Sequence, residues 1–155
     1  MKKIFTLILC GIMLLGLVAC NQKNEDYKSK LISVMNKQET ATVQDIFSFE
    51  FERAYIFTLL DGYLDGEMFV KKYSLDISIP QVEAGQADHI QRIVFVDKSG
   101  SFVYEFQCIM DDVSFVESGG IIIYPETTIK RTALEEGKLT IHFESLERYD
   151  ANATY

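Results

Sequence analysis

The apolar pattern of this chain predicts an α+β fold: one domain, an antiparallel sheet of five to seven strands, an N-terminal amphipathic helix and a short second helix. Three observations carry that expectation. Several short runs alternate apolar and polar residues, as half-buried strands do; Leu139, Ile141 and Phe143 against Lys138, Thr140, His142 and Glu144 is the clearest. Near the start, Tyr27, Leu31, Val34 and Met35 fall at i, i+4, i+7 and i+8, one face of a helix. Between Ile90–Val96 and Phe102–Met110 lies Asp97-Lys98-Ser99-Gly100, a strong hairpin signal.

Taken in order, the chain opens with Lys2 and Lys3, followed by a 16-residue uncharged stretch, Ile4 to Ala19, in which Thr6 is the hydroxyl residue. A spanning helix needs about 20 apolar residues, so this run is short for a permanent anchor and suits the apolar region of a signal peptide. Residues 21–26 are polar and read as a tether. The helix face from Tyr27 to Met35 predicts a helix from about Glu25 to Gln38, with Asn24 or Asp26 as N-cap. Phe47, Phe49 and Phe51 alternate with Ser48, Glu50 and Glu52 and predict a strand with one aromatic face. Ala54 to Leu60, nearly all apolar, predicts a central strand covered on both faces, with a bulge at the parity break, Arg53.

Asp61-Gly62 marks a turn, and Asp65 caps an expected short helix through about Tyr73. Leu75, Ile77 and Ile79 form an alternating strand that Pro80 ends. After the hairpin, Asp111-Asp112 turns the chain. Short strands are expected at Val113–Val116, Ile121–Tyr124 and Thr127–Thr132, before the last strand at Lys138–Glu144. The domain organisation expected is a signal segment 1–19, a tether 20–26, one domain 27–149 and a frayed tail 150–155.

Leu17-Val18-Ala19-Cys20 resembles the lipobox of bacterial lipoprotein precursors. The resemblance implies that Cys20 receives a diacylglyceryl thioether, becomes the first mature residue and ties the protein to the outer face of the bacterial cytoplasmic membrane. Each buried methylene of such a lipid contributes about 0.8 kcal/mol, and two chains hold where one is marginal. Phe49-Glu50-Phe51-Glu52-Arg53-Ala54-Tyr55-Ile56-Phe57 is similar to a Phe-x-Trp-Asp-x-x-Tyr-x-Phe segment of small uncharacterised envelope lipoproteins of Gram-positive bacteria. Phe51 and Glu52 depart from its Trp and Asp, and Leu59-Leu60-Asp61-Gly62-Tyr63 departs from its Pro-Tyr-Thr turn. The resemblance implies no activity.

Cleavage before Cys20 leaves 136 residues, enough for one core. Lys2 and Lys3 leave with the leader, so 13 basic residues face 23 acidic ones, a net −10 with histidines neutral. That balance argues against nucleic acid as a partner and against adsorption of the protein surface to anionic lipid. Cys10 leaves with the leader and Cys20 carries the lipid, so Cys108 stands alone and no intramolecular disulfide is expected.

Candidate chemistry is thin. Asp61 to Glu67 has the look of a calcium loop, but Tyr63 and Lys72 stand where oxygen ligands belong, so a turn and a helix cap account for it. Asp111 and Asp112 read as turn residues. Glu50 and Glu52 on one strand face, about 7 Å apart, suit acid/base chemistry or an ordinary solvated face. His89 and His142 lack zinc-ligand spacing and read as surface residues. Cys108 faces aromatic neighbours and reads as a core thiol. No Gly-x-Ser-x-Gly or phosphate-binding loop occurs. The residues therefore predict no catalytic, cofactor or metal site, and a lipid-anchored binding or accessory protein with an unidentified extracellular protein or ligand as partner. The alternatives are an envelope hydrolase using Glu50 and Glu52, or an immunity-type lipoprotein that binds a secreted toxin.

Overall fold

The computed structural model describes residues 26–57, 70–71, 77, 90–117, 120–135, 137–144 and 147. The expected helix through Tyr73, the strand at 75–79, the Asp61–Glu67 segment, His89, Cys20 and the frayed tail lie largely or wholly outside them.

The fold is mixed α+β and mostly strand. Residues 26–37 are helical (α1), followed by β1 (Thr40–Thr42), α2 (Val43–Ile46), β2 (Arg53–Phe57), β3 (Ile90–Val96), β4 (Phe102–Ile109), β5 (Val113–Phe115), β6 (Ile121–Ile123), β7 (Thr128–Glu135) and β8 (Lys138–Glu144). The described strands form two four-stranded sheets, one ordered β1-β7-β8-β5 and the other β4-β3-β2-β6. All pairs are antiparallel except β5 with β8, which is parallel, Val113 opposite Leu139 and Phe115 opposite Ile141.

This corrects the expectation of one antiparallel sheet of five to seven strands. Alternation tells which face of a strand is apolar but not which strand lies beside it. At the Ile109–Asp112 turn, where the Asp112 N–H donates to the Ile109 carbonyl at 3.0 Å, the chain leaves the sheet of β4 and β5 joins the other sheet. Both sheets feed one apolar cluster, Ile93, Phe95, Phe106 and Ile123 from one and Ile129, Leu139, Ile141 and Phe143 from the other, which Leu31 and Met35 of α1 join.

The segment Phe47–Glu52 is not a strand, a second correction. Its aromatic residues do turn inward, Phe47 and Phe51 buried and Phe49 partly so, while Ser48, Glu50 and Glu52 are exposed. Side chains can alternate without a hydrogen-bonded neighbour, and bends at Phe49 and Glu52 make this segment irregular. Here rings rather than a ladder hold it: Phe47 lies tilted, and Phe49 and Phe51 edge-to-face, within 5.0 Å of the Phe95 ring, and Tyr27 of α1 lies 5.3 Å from Phe47. Nor does Arg53 sit in a bulge; it begins β2, in unbroken register opposite Val96. The irregularity falls on the neighbouring pair instead, between Phe95 and Val96 against β4.

Two elements were not anticipated, β1 and α2. The capping box Thr42-x-x-Asp45 starts α2: the Thr42 N–H donates to Asp45 Oδ2 at 2.8 Å and the Asp45 N–H to Thr42 Oγ1 at 3.2 Å. A four-residue helix is too short to show a periodic face, so the cap is its sequence signal.

Buried polar groups join the elements. The Gln91 side chain of β3 accepts from the Phe115 N–H at 2.7 Å and donates to the Phe115 carbonyl at 3.3 Å, taking the place of a strand between the sheets. Arg131, next to the β7–β8 irregularity, donates Nη1 to the Met35 carbonyl at 2.6 Å, one of the orphan carbonyls at the end of α1. Arg92, fully buried, donates Nε to Glu105 Oε1, which also accepts from Gln107 Nε2 at 3.0 Å.

Replacing Gln91 by Ala strands a buried N–H and a buried carbonyl at Phe115. The expected loss, about 2–4 kcal/mol from two orphaned groups and a small cavity, is read as a lower urea midpoint. A change below about 0.5 kcal/mol contradicts the role given to this side chain.

Candidate functional site

The aromatic packing of Phe47–Phe51 brings the segment against the β3–β4 turn. Between them opens a cleft of about 520 Å³ lined by Glu50, Phe51, Glu52, Asp97, Lys98 and Ser99. The Glu52 N–H donates to the Val96 carbonyl at 2.9 Å and holds the two walls in register. Glu50 and Glu52 thus line one cleft, on an irregular segment rather than the expected strand face.

The turn wall is built by Asp97. Its Oδ1 accepts from the Ser99 N–H at 2.8 Å, the Ser99 hydroxyl at 2.6 Å and the Ser101 N–H at 3.0 Å, while Gly100 takes the left-handed conformation, φ 80°, that closes the turn. These donors, the Ser99 hydroxyl first, hold the Asp97 carboxyl below its ordinary range. Asp97 is committed to the turn. Glu50 and Glu52 stand in solvent, Phe51 forms an apolar floor and Lys98 is one cationic wall residue. With Asp97 held in the turn, the exposed Glu50 and Glu52 carboxylates are what the cleft offers to a cationic or amide-bearing group.

Asp111 and Asp112 are turn residues, as expected. Asp112 Oδ2 meets Lys28 Nζ at 3.1 Å, tying α1 to the β4–β5 turn. Cys108 is a buried free cysteine of the core, and burial pushes its thiol far above the ordinary range. On the other face of the same sheet, Arg53 Nε donates to the Tyr55 hydroxyl at 2.8 Å. The Tyr124 hydroxyl donates to the Glu147 carboxylate, which with burial raises its pKa to about 12.

His142 is more than a surface residue. It lies on β8 with 42% of its side chain exposed, and its Nδ1 stands 2.5 Å from Oε1 of Glu117, whose side chain is 2% exposed. The same oxygen accepts the Phe143 N–H at 2.8 Å, so Glu117 caps the β5–β8 pairing in place of a main-chain carbonyl. Glu117 Oε2 is buried with no hydrogen-bond partner among the described residues. Sequence reading missed this pair because its members are 25 positions apart and meet through the parallel β5–β8 register.

Among the described residues, no group of three or more His, Cys, Asp or Glu side chains converges to enclose a metal ion, and no helix is long and apolar enough to cross a membrane. No protein-family model, curated protein or solved structure matches the chain.

The Asp97 geometry sets a pH dependence. A carboxyl whose folded pKa lies below its unfolded value, about 3.9, contributes stability that is present above that value and lost as pH falls through the folded one. Asp97→Ala therefore lowers the urea midpoint at pH 7, and the gap from the parent protein closes below about pH 3. A gap that persists unchanged at pH 2 rules out ionised Asp97 as the turn's anchor.

Proposed function

We propose that this protein is a lipid-anchored binding or accessory protein on the outer face of a bacterial cytoplasmic membrane, without enzymatic activity. The observation that carries the reading is Leu17-Val18-Ala19-Cys20, placed directly behind two lysines and an uncharged apolar run. The segment Phe49–Phe57, similar to small Gram-positive envelope lipoproteins, supports it. So does the contrast between the two cysteines of the mature chain. Cys108 is locked in the core, whereas Cys20 lies six positions before Asp26, the first described residue of the N-terminal helix. The N-terminal helix is then the element through which the lipid holds the domain, clamped by Lys28 to Asp112 and by Arg131 to Met35.

The partner is an extracellular protein or ligand, and the acidic cleft at Glu50, Glu52 and Asp97 is the surface offered to it, best matched by a cationic group. A hydrolase reading has the cleft in its favour, but Glu50 and Glu52 are both solvated. An immunity-type protein would use the same surface against a basic toxin segment.

Intact-mass analysis of the membrane fraction tests the anchor. The expected species begins at Cys20 and carries a diacylglyceryl group, and Cys20→Ala abolishes both cleavage at this position and lipid attachment. Finding the mature chain with a free Cys20 thiol, or the uncut chain in the cytosol, overturns the reading.

A further inference from the structure

We infer that the outer edge of β4 pairs antiparallel with β4 of a second copy of this chain, joining one sheet from each copy into a continuous sheet. Half of the N–H and C=O groups of an outer strand point away from its neighbour and form a template for another strand. Among the described strands, β1 and β5 end one sheet, and β4 and β6 end the other. Three of these four are only three residues long. β5 is covered where Gln91 bonds both backbone groups of Phe115, and β6 where the Ile122 N–H donates to the Glu147 carbonyl at 3.2 Å. β1 passes directly into α2. β4 is the exception: it has eight residues, and Tyr104 to Ile109 hold a regular register against β3.

The residues of the strand indicate its occupant. Of the five large apolar side chains exposed among the described residues, three belong to β4: Phe102 and Val103 at its start, and Ile109 at its end. An antiparallel copy sets the start of each strand against the end of the other. The register centred on Phe106 then places Val103 opposite Ile109 of the second copy, twice over, so the pairing covers apolar surface on both chains. Charge favours this edge over the rest of the surface. The chain carries a net −8, so two copies repel on the whole, but β4 holds one charged residue, Glu105, and Arg92 of β3 neutralises it. Lys and Pro, which commonly blunt such edges, are absent from β4.

Sedimentation equilibrium of the full chain in density-matched detergent tests the inference, with thermal melting to verify that each variant is folded. The protein mass per particle is expected to rise from one chain to two as the concentration approaches about 0.1 mM. V103E and I109K, both at exposed positions, each weaken the dimer by roughly tenfold or more. An equimolar mixture of the two variants regains a dimer, because the new charges then face each other across the strand pair. V116K, at an exposed position next to β5, leaves the dimer unchanged. A chain that stays monomeric at every concentration, a dimer that V103E and I109K leave intact, or a mixture no tighter than either variant alone overturns the inference.

Discussion

Because Gln91 to Val96 is buried from both sides, every polar group carried there must be satisfied inside the protein, and the partners found tie the molecule together. Side chains alternate along β3. Gln91, Ile93 and Phe95 enter the shared core, and Arg92, Val94 and Val96 face the other way. On the core side, the carboxamide of Gln91 is spent on the backbone of Phe115 in the second sheet. On the other, Arg92 meets Glu105 of β4. A buried ion pair contributes little net stability over an apolar pair, but losing one member is expected to cost about 3–5 kcal/mol. Such groups therefore specify neighbours more than they add stability.

The rest of the fold follows from a core assembled around this strand. Phe95 collects Phe47, Phe49 and Phe51, and that aromatic packing holds a segment that has no strand ladder of its own. The same packing presents Glu50 and Glu52 outward at the rim of the cleft. The acidic surface is thus a consequence of core packing: three inward rings in an alternating segment leave three polar side chains facing solvent.

How far the sequence could be read depended on the range of each interaction. The β3–β4 hairpin was legible because Asp97, Ser99 and Gly100 carry the turn chemistry within five residues. The burial of Phe47, Phe49 and Phe51 was legible too, since alternation records which side is apolar. What alternation cannot record is partner choice, so the division into two sheets and the parallel β5–β8 pair were missed. The Glu117–His142 pair was missed for the same reason, and the Arg131 link to the end of α1 spans 96 positions. Thr42-x-x-Asp45 was a local signal that went unread because the helix it caps has four residues.

The two sheets form one cooperative unit, joined through β3. Native-state hydrogen exchange of the Phe95 and Ile141 amides, one from each sheet, tests it most directly. One opening free energy and one denaturant dependence for both amides is the result expected. Exchange of Ile141 through a separate, lower-energy opening while Phe95 stays protected would contradict it.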